Sequence, residues 1–331
     1  MIRKIYILIF AFALSTIVLA QDSHFSMYYA PSIELNPATT GQIESYFRAH
    51  LQYRDQWRSI MDKPFQTANF SFDKEFKRFG YGILIHDNKA GLTNMNTLKI
   101  LVSGSYEITQ DYKQVHHLST GIQIGMVQKS LDPNVTYNNQ YDKDYNGGNF
   151  NPLANSGENF VENVTLIPEF NYGIYYHKTD PKHWLNPRGG VSVNNLSQPK
   201  VNFYNIDDGK TSMRWTTFGG AKIKLKEFYH VEPMVYYSRL ANAKEFSFGA
   251  LFNYEPDNLT TGFFIGPYYR TFFNAGDAIQ LHTGISLGEY VIRFSYDFTT
   301  STLSKYNGGK GGFEVSITYV KHKGKYIPSI L

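Results

Sequence analysis

The sequence predicts an all-β fold, a transmembrane antiparallel β-barrel of about 14 strands with an N-terminal plug-like segment. Three observations predict it. Long stretches alternate apolar and polar residues with period two. The connections between them are long on one side and short on the other. The chain opens on an export signal but has no later apolar run long enough for a membrane helix.

The alternation is clearest at four places. Residues 45–56 put Phe47, Ala49, Leu51 and Tyr53 on one face and Arg48, His50, Gln52 and Arg54 on the other. The same pattern carries Phe246, Phe248, Ala250, Phe252 and Tyr254, then Tyr290, Ile292, Phe294, Tyr296 and Phe298, then Phe313, Val315, Ile317 and Tyr319. The predicted strands are 45–56, 65–76, 79–87, 95–108, 115–129, 161–177, 187–196, 212–225, 228–239, 245–255, 259–271, 278–287, 289–299 and 312–321. A tilted membrane strand needs about 9–11 residues, whereas soluble strands run near about five or six.

Connections after odd strands cover 57–64, 88–94, 130–160, 197–211, 240–244, 272–277 and 300–311. Those after even strands cover 77–78, 109–114, 178–186, 226–227, 256–258 and 288. The three longest all fall in the first set. Barrels in outer membranes have long extracellular loops and short periplasmic turns, so the even count puts both termini in the periplasm. A soluble sandwich would bury the aromatic face against a second sheet, but it leaves strand length and loop asymmetry unexplained.

Four segments follow: 1–20 as signal peptide, 21–43 as periplasmic or plug segment, 44–321 as barrel and 322–331 as tail. Arg3 and Lys4 precede an apolar run, Ile5 to Val18, and Val18-Leu19-Ala20 places cleavage between Ala20 and Gln21. The chain has no cysteine, which excludes lipoprotein processing, disulfides and thiolate metal sites. Lys and Arg total 32 against 28 Asp and Glu, and without Arg3 and Lys4 the balance is 30 to 28. A charge so even implies no nucleic-acid partner. With 26 Tyr, 25 Phe and 27 Gly, and a mean hydropathy of −0.36, lipid-facing and lumen-facing residues average out.

Residues 21–43 lack the strand alternation. Met27-Tyr28-Tyr29-Ala30-Pro31 and Leu35-Asn36-Pro37-Ala38 are apolar stretches punctuated by turn residues. Two fates suit them, packing inside the lumen as a plug or docking on a partner, with Tyr28, Tyr29, Leu35, Asn36, Pro37 and Ala38 as the contact candidates. A fourteen-strand barrel has more interior than its own side chains fill, which favours the plug. Opposite the apolar stripes lie Arg48, Arg54, Lys99, Lys222, Lys224, Arg270 and Arg293, with Asp73, Glu169, Glu232, Asp297 and Glu314. Arg48, Arg54, Lys99, Glu169, Arg293, Asp297 and Glu314 are the candidate lumen charges. An ion-selective pore favours one sign, whereas mixed signs suit a lumen crossed by ion pairs. Some of these charges are expected at strand ends in water.

No motif specifies catalysis, a cofactor or a metal. His116 and His117 are adjacent in a strand and point to opposite faces. There is no Gly-x-Ser-x-Gly elbow, and Gly308-Gly309-Lys310-Gly311-Gly312 lacks the strand–loop–helix setting of a phosphate cradle. Asp142-Lys143-Asp144-Tyr145-Asn146 has oxygen ligands for calcium but no acidic residue at the closing position.

Several motifs together resemble the PorP/SprF family of outer-membrane proteins of the type IX secretion system. They are Leu35-Asn36-Pro37-Ala38 with Gly41, Tyr53-Arg54-Asp55-Gln56-Trp57, and Leu118-Ser119-Thr120-Gly121 leading to Gln128-Lys129-Ser130-Leu131-Asp132. Further on come Asn194-Asn195-Leu196-Ser197-Gln198-Pro199, then Ser295-Tyr296-Asp297, Ser304 and Gly311-Gly312-Phe313-Glu314-Val315-Ser316. The resemblance covers essentially the whole chain after residue 20. It implies an accessory or anchor barrel supporting export or surface attachment of cargo such as gliding adhesins. Its implied partners are other secretion components, cargo carrying a C-terminal sorting domain, and outer-membrane lipid. It implies no enzymatic activity and supplies no catalytic residues. One departure is the polar tail after Lys321, which carries the chain beyond its last aromatic strand residue, Tyr319. The competing reading is a hydrophobic small-molecule channel resembling fatty-acid transporters, whose plug motif is similar to Asn36-Pro37-Ala38. A third, an outer-membrane hydrolase, requires a Ser/His pair in contact.

Overall fold

Fourteen strands form where the alternation lies. They are β1 (Ser45–Gln56), β2 (Phe65–Phe76), β3 (Phe79–Ala90), β4 (Met95–Glu107), β5 (His116–Ser130), β6 (Val164–Lys178) and β7 (Leu185–Asn194), followed by β8 (Arg214–Lys226), β9 (Tyr229–Leu240), β10 (Ala243–Tyr254), β11 (Thr261–Phe272), β12 (Ala275–Leu287), β13 (Tyr290–Thr299) and β14 (Lys310–His322). Each pairs antiparallel with its sequence neighbours, and β1 pairs with β14, so the sheet closes with no edge strand. No predicted strand end is displaced by more than three residues; β3, for example, continues to Ala90 rather than 87. This computed structural model describes residues 24–322 apart from 44, 62, 92–94, 110–114, 132–139, 141–150, 152–153, 155–163, 201–209, 257–260 and 273–274. The signal segment 1–20 with Ala20 and Gln21, residues 142–146 and the tail from 323 lie outside the described residues.

The two ends of the barrel differ as the loop lengths predict. At one end β2–β3, β8–β9 and β12–β13 are joined by two residues each, 77–78, 227–228 and 288–289; at the other β9–β10 is as short, 241–242, but the two longest connections, 131–163 and 195–213, both lie there. Lys77 and Gly288 take left-handed φ values of 57° and 59°, the twist that tight hairpins need. A Cβ on Gly288 would meet nothing, so its backbone conformation, not crowding, favours glycine. Ser45 and His322 pair at this same end.

Alternation sorts the side chains by medium. Leu51, Phe70, Ile100, Val102, Ile124, Phe252, Phe294 and Ile317 are exposed on the outer surface. Tyr46, Phe76, Phe79, Trp184, Tyr229 and Tyr290 ring the short-turn end, where amphipathic rings suit a membrane–water boundary. His50, Gln52, Asn69, Ser71, Gln123, Asn171 and His282 are buried on the inner face. This inverts the polarity of a soluble protein, as lipid on the outside requires. No helix among the described residues is long and apolar enough to cross a membrane.

Candidate functional site

Residues 24–43 make their contacts with the inward-facing side chains. Pro31 precedes a short helix, Ser32–Leu35, and Asn36 turns extended (φ −158°) before a 3₁₀ turn, Pro37–Thr39. Local chemistry dictates the shape. Asn36 Oδ1 accepts from Ala38 N–H at 2.9 Å, Thr39 Oγ1 donates to the carbonyls of Ser32 and Asn36, and Thr40 Oγ1 donates to that of Pro37. Gly41 (φ 67°) reverses the chain into β1 and donates its N–H to Asp73 at 2.7 Å.

The contacts define a path. The ring of His24 meets Phe272, at the long-loop end of β11, with centroids 6.0 Å apart. Thr40 and Gly41 abut Gly80, near the short β2–β3 turn. The segment therefore runs from the long-loop end towards the short-turn end, where β1 begins.

One anchorage is built from backbone. A Cβ on Gly121 of β5 would stand 2.5 Å from Ala38 N and from the Pro37 carbonyl. One on Gly173 of β6 would collide with Asn36 Oδ1. Only glycine admits so close an approach. Through it Asn36 Nδ2 donates to the carbonyls of Ile174 (3.0 Å) and Val191 (3.2 Å), which face each other across the β6–β7 seam. Wall side chains satisfy the segment's carbonyls in turn: Gln123 Nε2 donates to Ile33, Ser192 Oγ to Leu35 and Ser119 Oγ to Ala38, at 2.9, 2.9 and 2.8 Å.

A second anchorage is aromatic. Tyr28 stacks on Tyr236 with centroids 4.5 Å apart, and Tyr29 stacks on Tyr268 at 5.9 Å. Tyr29 Oη also hydrogen-bonds His282 Nδ1 at 3.0 Å. Met27, Leu35, Met234, Leu251, Phe264 and Val291 complete this buried cluster.

The third is ionic. Glu314 accepts the N–H groups of Ser26 (2.7 Å) and Met27 (2.9 Å), one on each carboxylate oxygen. Arg54 bridges Asp297 at 2.8 Å and Glu314 at 3.1 Å and also donates to Ser26 Oγ. Arg270 reaches Asp297 at 3.0 Å and Asp277 at 2.6 Å. Arg54, Asp297 and Glu314 are almost wholly inaccessible, so their charges persist in the interior because each meets its opposite.

Of the predicted lumen charges, the fold thus brings Arg54, Asp297 and Glu314 together against the segment. Arg48 pairs with Asp73 at 2.8 Å, where Asp73 also accepts the Gly41 N–H at the other end of the segment, and Lys99 pairs with Glu169 at 3.2 Å. Arg293 donates to Thr318 Oγ1 at 2.8 Å and lies over the Phe264 ring. Lys224 is exposed, beside a register shift in β8. Tyr28, Tyr29, Leu35, Asn36, Pro37 and Ala38 are all buried. Sequence reasoning missed Ser26, Asp277, Gly121 and Gly173. The glycines were detectable as inward-parity positions without a side chain, whereas nothing distinguishes Ser26 from its neighbours. Chemically, the site recognises a peptide backbone. Among the described residues no group of three His, Asp or Glu side chains is placed to hold a metal ion.

Comparison with known proteins gives a family and a fold. The family model described as type IX secretion system membrane protein PorP/SprF matches residues 17–319. Among curated proteins nothing matches the chain. Among solved structures it is similar to the CymD monoaromatic hydrocarbon channel, at 14% identity and a TM-score of 0.52 over 91% of this chain and 95% of that one. It is likewise similar to a deltaS2S3 mutant of the TodX monoaromatic hydrocarbon channel (10%, 0.52, 88% and 94%). A FadL homologue of Pseudomonas aeruginosa matches at 12% and 0.50, over 88% and 94%. At such identities the likeness speaks for the barrel fold alone.

Proposed function

Because the chain belongs to the PorP/SprF family of type IX secretion system membrane proteins, we propose that it is a non-enzymatic accessory or anchor barrel. It supports export or surface attachment of cargo carrying a C-terminal sorting domain, gliding adhesins among them. The observation that carries this reading is the three-part anchorage of residues 24–41. Glycine contacts, stacked tyrosines and the Arg54–Asp297–Glu314 cluster hold that segment against the inner wall from one end to the other. We read it as a plug, and a barrel closed in this way serves as a platform rather than a solute pore. Its long loops face outward, and the paired ends of β1 and β14 face the periplasm.

Deletion of the gene tests this: surface display of one or a few cargo proteins is expected to disappear and to return with the wild-type copy. Normal display in the deletion strain overturns the reading.

A second reading has one observation in its favour. Tyr28, Tyr29, Tyr236, Tyr268 and Phe264 form an aromatic surface inside the barrel that suits passage of small hydrophobic molecules once the segment moves. It predicts slower uptake of monoaromatic compounds in the deletion strain, and unchanged uptake removes it.

A further inference from the structure

On the outer surface, where β8, β9 and β10 reach the long-loop end, two cations stand side by side with no acidic partner among the described residues. Trp215, Arg239 and Lys244 are cross-strand neighbours: Trp215 pairs with Arg239, and Arg239 with Lys244. All three are exposed, while Thr216, Tyr236 and Ser238 of the same strands are buried inward. Each stands one residue from the end of its strand. That is the headgroup level of a membrane-spanning barrel.

Two like charges directly opposed on adjacent strands repel. Here nothing relieves them: among the described residues neither side chain meets an acidic group. Arg239 Nε donates to the carbonyl of Ala241 at 3.2 Å, which orients the guanidinium, and among the described residues Nη1 and Nη2 have no hydrogen-bond partner. The guanidinium opens into a surface groove of about 630 Å³, lined also by Gln198, Ser212, Met213, Trp215 and Tyr237, while Lys244 stands outside that lining on the strand next to Arg239. A forked guanidinium beside an ammonium matches a phosphate, and Trp and Tyr favour the boundary between headgroup and acyl chain.

We propose that this groove binds the phosphorylated headgroup of an outer-leaflet glycolipid. Arg239 and Lys244 share a phosphate, and Trp215 and Tyr237 pack on the sugar–acyl boundary. The choice of leaflet rests on the outward orientation of the long loops.

Native mass spectrometry of the full-length barrel in mild detergent tests it. The probes are lipid A with both phosphates, lipid A without them, phosphatidylglycerol and inorganic phosphate. Wild type is expected to retain phosphorylated lipid A preferentially. An Arg239→Gln/Lys244→Gln double variant is expected to bind it roughly thirtyfold more weakly, as two lost interfacial cations imply. Lys305→Gln, at another exposed long-loop position, is expected to leave binding unchanged. Heat-dependent gel mobility verifies that the variants keep a closed barrel. Equal retention by the double variant overturns the site, as does equal binding of dephosphorylated lipid A or full competition by inorganic phosphate. Preference for phosphatidylglycerol overturns the leaflet assignment. Cargo display does not enter this readout, so its failure is distinguishable from failure of the secretion role.

Discussion

The two halves of the inner wall hold the same segment by different physics. Across β3 to β7 the contact is chiefly with backbone, Gly121 and Gly173 clearing the way and serine and glutamine side chains donating to carbonyls, and the segment's acidic side chain, Glu34, meets His86 of β3 at 2.9 Å. Across β9 to β14 and β1 the contact is made by stacked tyrosines and by Arg54, Arg270, Asp297 and Glu314. The first half depends on shape and tolerates no added atom. The second depends on charge balance, and removing one partner leaves buried charges unmatched.

The comparison ranks substitutions. Arg54→Met leaves Glu314 without its cation and Asp297 with Arg270 alone, and is expected to destabilise the barrel by about 3–5 kcal/mol in denaturant unfolding from detergent. Gly121→Ala forces the Pro37–Ala38 backbone off the wall. Its expected loss is about 1–3 kcal/mol, together with protease cleavage within residues 24–41 while the barrel stays closed. Should Gly121→Ala prove costlier than Arg54→Met, shape outranks charge and the order is wrong. Asn36→Ala removes an amide that spans the β6–β7 seam. About 1–2 kcal/mol is expected, with faster amide exchange at Ala38, whose N–H loses its Asn36 Oδ1 acceptor, as the local signature; unchanged stability and exchange would falsify this role of Asn36. Lys321→Ala breaks an exposed pair with Glu289. No measurable change in melting temperature is expected, because solvent already screens that pair.

The barrel itself was legible in the sequence. Strand number, strand limits and the sides of the long loops follow from alternation and turn residues, which are local signals. The site was legible only in part. Asn36-Pro37-Ala38 was marked by its turn chemistry in an apolar stretch, and Arg54, Asp297 and Glu314 by inward parity. That these three meet each other, while Lys99 pairs with Glu169 and Arg48 with Asp73, was not. Parity states which face a side chain occupies. It does not state which other inward residue lies opposite across the lumen.

Alone, then, the sequence determined a closed, even-stranded barrel with an apolar outside and a polar inside, because period-two patterning is read residue by residue against lipid and water. Only the tertiary structure decided that Glu314 grips the N–H groups of Ser26 and Met27, 288 and 287 residues away. Closure of β1 on β14 sets that proximity, and the register of fourteen strands together determines it. The same holds for the glycines. Each reads as a weak strand residue until the segment it admits is folded against it.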